Sequence, residues 1–535
     1  MLKRTAHMAI ILSLTAATVT AAGTAAATGH SYGSVVRTDN GSVRGKVTGP
    51  VRGFQGIPYA AAPTGELRWA PPAPAARWSG VRDATQPGDA CPQTGSVRPA
   101  GPHSSNEDCL SLNVTTPRTA SARPRAVMVY LHGGDHTDGS GAMHGARQLA
   151  ARGDVIVVTV NYRLGALGYL AHPALEERGE SGNYGFLDQQ AALRWVQRNA
   201  AAFGGDPDNV TLFGQSAGAH STCAHLVAPS SADLFDRVIL QSGACVGGSD
   251  TRERADALRQ GVEAARGIEE GIKRTEASDA TVDWRAAGPE HLVYDFGQSP
   301  YPYGPVYGGT LLPRTPQEAF ATGQYNKVPV LQGINRDEGR AGAYAAEMGK
   351  KGATGDPEAV LDEADYRTRL EEEFGPDKVV AIAARYPVSA YDDSPALALG
   401  AVLTDADQAR RTVDTGQTLA RSVPTYAYEF ADHETPWYAD AEMYPKPSFP
   451  MGATHTFELP YLFELTEFDP LTEPQQALSD AMIRIWSSFA RTGKAPWKPT
   501  TPASPNAQSL ASGPDGTHPV DFTKDHQYDF WKSLD

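Results

Sequence analysis

Cysteine is scarce in this chain, with four in 535 residues. That is too few for a disulfide scaffold, and neither a C-x-x-C pair nor a zinc-ligand spacing occurs, so no metal is expected. Beyond the N-terminal region, no stretch approaches the roughly eighteen apolar residues that would cross a bilayer. Basic charge is short as well: 47 Lys and Arg face 62 Asp and Glu, a net charge of −15. An acidic chain is a poor general ligand for nucleic acid or for anionic membrane surfaces. Neither is expected as a partner. What remains is an ordinary globular balance, 41% hydrophobic and 20% charged, in a chain long enough to bury a large core without staples.

The N-terminus carries an export signal in outline. Lys3 and Arg4 precede the apolar stretch Met8–Val19, and small residues follow, with Ala25-Ala26-Ala27 as the cleavage site. The sequence thus predicts a signal peptide over residues 1–27, a mature domain over 28–535 with net charge −17, and a secreted, extracellular product. The polar C-terminus, Phe530 to Asp535, matches neither a GPI signal nor a tail anchor. Export permits disulfides. Four cysteines allow three pairings, and buried free thiols stand as the alternative for Cys223 and Cys245.

No internal repeat is visible. Short apolar runs at Ala126–Leu131, Val155–Val160, Val210–Phe213, Val238–Leu240 and Val328–Gln332 have the length of buried strands. Helical stretches such as Leu187–Asn199 and Thr251–Arg266 lie among them. This alternation predicts an α/β fold: one large domain with a mostly parallel central sheet flanked by helices. The charged segment Asp337–Ala398 is expected to form a peripheral helical insertion, a place for a lid or gorge wall. Residues 496–520, rich in Pro, Ser and Thr, are expected as surface loop.

Gly214-Gln215-Ser216-Ala217-Gly218 is a G-x-S-x-G pattern. The bare pattern is weak evidence in a chain with 53 glycines. Its context is stronger: a strand-like run precedes it, and Ala217 to Leu226 can continue as a helix. That is the nucleophile elbow, whose sharp turn exposes the serine hydroxyl and turns the Ala217 N–H toward the same space. The competing reading is a Gly-rich turn without chemistry. Upstream, Tyr130-Leu131-His132-Gly133-Gly134 ends an apolar strand in a Gly-rich loop. Such a loop supplies backbone N–H groups for an oxyanion hole, or else is an ordinary strand-terminal turn.

Taken with other ordered motifs, the chain resembles the type-B carboxylesterase and cholinesterase family. The pieces are Phe54-Gln55-Gly56-Ile57-Pro58-Tyr59-Ala60, Glu107-Asp108-Cys109-Leu110-Ser111-Leu112-Asn113-Val114, Asn161-Tyr162-Arg163-Leu164-Gly165 and Gly182 to Gln189. Gln241-Ser242-Gly243, Asp337-Glu338-Gly339, His455-Thr456-Phe457-Glu458-Leu459 and Phe489 to Gly493 complete them. The resemblance spans about Val43 to Trp497. It implies an α/β-hydrolase fold with a deep gorge, no cofactor, and cleavage of carboxylic esters through a Ser-His-Glu triad. Residue by residue it implies Ser216 as nucleophile, Glu338 as acid and His455 as base, with Gly134, Asp135 and Ala217 as oxyanion donors. Those three triad positions follow the nucleophile–acid–histidine chain order of the fold. Asp337 is the rival acid. The resemblance also implies a Cys91–Cys109 disulfide, which leaves Cys223 to pair with Cys245.

Two departures matter. Asp135 follows Gly134 where the family carries glycine or alanine, with His136 next. A carboxylate there opposes a developing oxyanion unless it turns away or pairs with a cation. It either recognises a polar or cationic substrate group or points into solvent or a local hydrogen bond. Pro305-Val306-Tyr307-Gly308-Gly309 lacks the aspartate usual before the last glycine, and no functional account of it follows. The loop between Cys91 and Cys109 holds no aromatic residue for cation–π binding, so no choline specialisation is expected. Trp69 and Trp78 are expected to pack rather than to line a pocket. A small-molecule ester is the expected partner. Competing with a simple esterase are a lipase-like hydrolase of longer or specialised esters and a non-catalytic binding protein on the same fold. Sequons occur at Asn113 and Asn209.

Overall fold

The computed structural model describes residues 33–95, 102–178, 181–247, 251–276, 283, 285–293, 301–440, 443–513 and 516–535. The signal peptide expected over residues 1–27 lies outside them. An eleven-stranded sheet organises these residues. In chain order its strands are β1 (Lys46–Thr48), β2 (Val51–Pro58), β3 (Ser111–Pro117), β4 (Arg125–Leu131), β5 (Ile156–Val160) and β6 (Gly205–Gln215). Then follow β7 (Arg237–Gln241), β8 (Val330–Asn335), β9 (Thr425–Phe430), β10 (Gln508–Leu510) and β11 (Thr517–Pro519). The spatial order is β11-β10-β9-β8-β7-β6-β4-β5-β3-β2-β1. From β5 to β10 neighbours run parallel, while the outer strands at both edges pair antiparallel.

The sequence explains the centre of this sheet. Strands β4, β5 and β8 are buried at every position; the runs Arg-Ala-Val-Met-Val-Tyr-Leu and Ile-Val-Val-Thr-Val are near-continuously apolar, while Val-Leu-Gln-Gly-Ile-Asn also buries two amide side chains. A parallel strand covered by helices on both faces needs that pattern rather than alternation. Helices Tyr184–Asn199, Ala217–Val227 and Glu473–Thr492 supply cover, and two apolar clusters on opposite faces of the sheet form the main core. The helix expected from Thr251 to Arg266 runs from Arg254 to Glu276. The charged insertion is helical as expected, with helices Arg340–Thr354, Glu363–Phe374, Pro376–Arg385 and Pro395–Leu403.

One expectation is corrected. Residues 496–520 are not wholly surface loop: Gln508–Leu510 pairs parallel with β9 and is buried along its length. Three residues with one apolar side chain carry too short a pattern to read as a strand. Burial there comes from pairing with a strand some eighty residues away.

Several family motifs turn out to be structural. Arg163 forms a two-pronged ion pair with Asp188, Nε and Nη2 each 2.7 Å from a carboxylate oxygen, both residues buried. Arg68 does the same with Glu107. Disulfides join Cys91 to Cys109 and Cys223 to Cys245, and no free cysteine remains. Trp69 is buried with its indole N–H on the Ala166 carbonyl, and half-buried Trp78 donates to the Ser42 carbonyl. Both pack, as expected. Asn113 is tied inside the sheet, accepting from the Gly56 N–H and donating to Thr159, so that sequon is no exposed acceptor. The segment lacking the family aspartate is a two-residue strand, Val306–Tyr307, pinned at both backbone groups of Val306 by the Asn183 amide. No helix among the described residues is long and apolar enough to cross a membrane.

Candidate active site

Three loops meet at the carboxyl edge of the parallel strands, the edge where open α/β sheets bind ligands. The first follows β6. Ser216 sits between that strand and the helix Ala217–Val227 with φ 55° and ψ −124°, a conformation that costs a non-glycine residue about 1–3 kcal/mol. Surrounding contacts hold it there. The Ser216 N–H donates to the Gln241 carbonyl at 2.9 Å, and its carbonyl accepts from the Ala219 and His220 N–H groups. The helix returns so tightly that a Cβ on Gly218 would lie 2.0 Å from the Leu131 carbonyl oxygen. This strand–turn–helix is the elbow expected from the sequence.

The second loop follows β4. Gly134, Asp135 and His136 take successive positive φ values of 100°, 53° and 56°. The Thr137 and Asp138 N–H groups both donate to the Gly134 carbonyl, closing the turn. The loop lies against the elbow: a Cβ on Gly133 would be 3.2 Å from Ser216 Cβ. Ala217 opens its helix, so its N–H has no intrahelical acceptor. Behind the loop, His132 stacks on Tyr162, and burial lowers its pKa to about 4. It serves as a neutral packing group. Gln93, inside the Cys91–Cys109 loop, clasps Gly139 through both amide atoms at 2.8 and 2.9 Å. Asp135 is exposed. His136 turns inward, with Nε2 3.0 Å from the Ser221 hydroxyl and its ring against Tyr169.

The third assembly follows β8. Glu338 is buried, three residues beyond the strand. Its Oε1 accepts from the Asn335 N–H at 2.8 Å, and its Oε2 accepts from His455 Nδ1 at 2.5 Å. The rival, Asp337, turns away to Arg340 at 2.8 Å and accepts from the Ala453 N–H. Burial works against a charged His455, but the adjacent Glu338 carboxylate outweighs it and raises the imidazole above its usual range.

The other nitrogen, His455 Nε2, lies 3.3 Å from the Gln215 amide nitrogen. In the neutral ring, Nδ1 keeps its hydrogen and donates it to Glu338, so Nε2 is the acceptor and Gln215 donates. No hydrogen bond joins His455 to Ser216. Glu338 and His455 are thus brought together, and Ser216 is the immediate neighbour of the residue that His455 contacts. Catalytic hydrogen bonds are often loose before substrate binds.

Sequence reasoning did not single out the shell behind this pair. Glu458 is fully buried, and its carboxylate accepts from Gln241 at 3.0 Å and Asn335 at 2.8 Å. Trp486 in turn donates to Gln241. Burial and the nearby Glu338 charge both push the Glu458 carboxyl upward. A signal was available, since Glu458 and Gln241 lie inside the quoted family motifs. Among the described residues no group of three His, Cys, Asp or Glu is placed to hold a metal ion.

An elbow serine, a Gly-rich loop and a carboxylate-oriented histidine on one sheet edge define an α/β hydrolase. Comparison narrows this. Residues 33–531 match the model of the carboxylesterase family, and the chain belongs to that family, the type-B carboxylesterases and cholinesterases. It is 36% identical over 475 residues to fumonisin B1 esterase of Sphingopyxis macrogoltabida, covering 86% of this chain and 82% of that one. To para-nitrobenzyl esterase of Bacillus subtilis (strain 168) it is 34% identical over 478 residues, covering 86% and 90%. The solved structure of a PNB esterase superposes with a TM-score of 0.73 at 29% identity, covering 94% of this chain and all of that one. The chain is a carboxylesterase acting on small-molecule esters.

Proposed function

We propose that this carboxylesterase is a secreted serine hydrolase working through Ser216, His455 and Glu338. The observation that carries the reading is the short Glu338–His455 hydrogen bond beside the Ser216 elbow. On substrate binding, His455 Nε2 leaves the Gln215 amide for the Ser216 hydroxyl. The Ser216 oxygen attacks the ester carbonyl carbon as its proton passes to Nε2. Glu338 fixes the tautomer and stabilises the imidazolium without taking the proton. The N–H groups of Gly134, Asp135 and Ala217 receive the oxyanion. His455 then protonates the departing alcohol and leaves an acyl-serine. Water attacks that acyl group, gives its proton to Nε2, and releases the acid as Ser216 recovers its hydrogen. The signal-like residues 1–27 and two disulfides support export. The similarity to a fumonisin B1 esterase and a para-nitrobenzyl esterase supports small-molecule esters as substrates.

The test is hydrolysis of p-nitrophenyl esters from acetate to palmitate by the mature chain, with Ser216→Ala beside it. Turnover on short chains that falls by about 10⁶ in the variant is expected. Turnover that survives in Ser216→Ala would overturn the reading. A profile rising toward palmitate would make the enzyme lipase-like.

A further inference from the structure

Away from the sheet edge, one buried imidazole lies between two carboxylates. His526, at the end of the short helix Phe522–Asp525, has Nδ1 2.5 Å from Asp405 Oδ1 and Nε2 2.7 Å from Glu429 Oε1. All three residues are buried. With a carboxylate on each nitrogen, both nitrogens donate, so the ring is an imidazolium. Its two partners stand on the two elements that frame the Glu338 turn. Asp405 belongs to the π-helical turn Thr404–Ala409, whose Thr404 hydroxyl accepts from the N–H of Gly339, next to Glu338, at 2.9 Å. Glu429 is in β9, paired with Ile334 of β8; the next pair is Asn335 with Phe430. Asn335 donates its N–H to Glu338.

We infer that His526 is a positioning residue for Glu338, clamping the π-turn to β9 so that the acid meets His455. The inference rests on the reading of Glu338 as the triad acid. A neutral ring has one proton for two acceptors, so one buried carboxylate would lose its partner. The remaining groups around the clamp brace it. Tyr386 donates to the other Asp405 oxygen at 2.8 Å, Trp531 donates to Tyr386, Phe522 packs on the ring, and Tyr391 stands nearby, its phenol raised by burial and then by the Asp405 charge. Burial disfavours the imidazolium, but the hydrogen bonds and charges of Asp405 and Glu429 raise it to about 10. The protonated clamp therefore persists through neutral pH; the stability it lends is full below the ordinary value of 6.5 and is lost as pH rises through about 10.

The experiment titrates reactive Ser216 with a fluorophosphonate and measures kcat and KM for p-nitrophenyl acetate from neutral pH to above about 10. Wild type, His526→Gln and His526→Arg are compared, with Ser216→Ala as the background. At neutral pH His526→Gln is expected to lose about tenfold in kcat per titrated site with little change in KM. Wild-type kcat should fall as pH rises through about 10, while His526→Arg, which keeps its proton, should stay active there. Fully titratable His526→Gln with kcat within about twofold of wild type would overturn the inference. So would an alkaline fall in His526→Arg matching wild type, a comparison that survives even where His526→Gln does not fold. Hydrolysis persisting in Ser216→Ala would instead overturn the underlying site reading.

Discussion

The elbow and the acid turn deliver their side chains to one sheet edge by different means. Around Ser216 the constraint is mainly backbone: a main-chain hydrogen bond to Gln241, a helix start, and a glycine pressed against the Leu131 carbonyl. Around Glu338 side chains do more of it: the Gln241 and Asn335 amides both donate to Glu458, the Asn335 N–H donates to Glu338, and the Thr404 hydroxyl separately accepts from the Gly339 N–H. A backbone-made site tolerates few substitutions because close-packed main chain cannot give way. A side-chain-made site fails more gradually, since each bond contributes about 1 kcal/mol net and costs more when a partner is left buried and unpaired. Rigidity suits the attacking group. In the proposed mechanism, a deformable electrostatic support suits a histidine that moves from Gln215 to Ser216.

The largest effect should come from removing the charge that links the two regions. Glu338→Gln should lower kcat by about 10⁴, by analogy with other triads that lose their acid. It should also move the acid limb of kcat/KM. On the proposed mechanism His455 acts when neutral; in the wild type the Glu338 charge outweighs burial and holds its pKa above 6.5, so activity is expected to rise through a limb above that value. In the variant burial is opposed only by the smaller pull of Glu458 and Asp407, and the limb should move to lower pH. A pH–rate profile of both proteins decides it, and an unmoved limb would remove Glu338 from the role.

Next comes a direct strike at the backbone. Gly218→Ala places a methyl 2.0 Å from one main-chain carbonyl oxygen and 2.8 Å from another, those of Leu131 and His132. Relief requires the end of β4 to retreat, which carries the Gly133–Gly134 loop away from Ser216. The expectation is about 3 kcal/mol of lost stability in urea unfolding and a hundredfold loss of kcat. The matching change on the other side is Glu458→Gln, which turns an amide donor toward Gln241 or Asn335. It should cost about 1–3 kcal/mol and no more than about tenfold in kcat. Equal losses in the two variants would erase the contrast between backbone-held and side-chain-held halves.

That contrast also decides how much was legible beforehand. The elbow is local, so five consecutive residues and their flanks announce it, and strands β4 to β8 show themselves as apolar runs. Their ends differ from the observed ones chiefly where residues such as Asn209 or Asn335 extend a strand beyond its apolar run. The acid side hides because its bonds are long-range: Asn335 and Glu458 are 123 residues apart, and Gln241 and Glu458 are 217 apart. Nothing in local composition marks a buried glutamate as a support. His455 itself was found through resemblance, since fourteen histidines look alike in composition. The contact between Gln215 and His455 follows from the third dimension alone. Strand β10 escaped for a related reason, as its burial is imposed by β9.

The smallest effect tests the one place where backbone and charge argue against each other. Asp135 combines φ 53° with an exposed carboxylate beside the proposed oxyanion site. Glycine would relieve the left-handed backbone, and neutralisation would remove a negative charge from a region where another develops. Water screens an exposed carboxylate, so the electrostatic part should be below about fivefold in kcat. Aspartate and asparagine tolerate this conformation nearly equally, which lets two variants separate the causes. Asp135→Asn should raise kcat by the full electrostatic amount at low ionic strength and by less in high salt. Asp135→Gly should add a stability gain below about 1 kcal/mol and leave kcat where Asp135→Asn put it. Were Asp135→Asn to lower kcat while raising KM, the carboxylate would be touching substrate, and the loop would be recognising a polar or cationic group as well as an oxyanion.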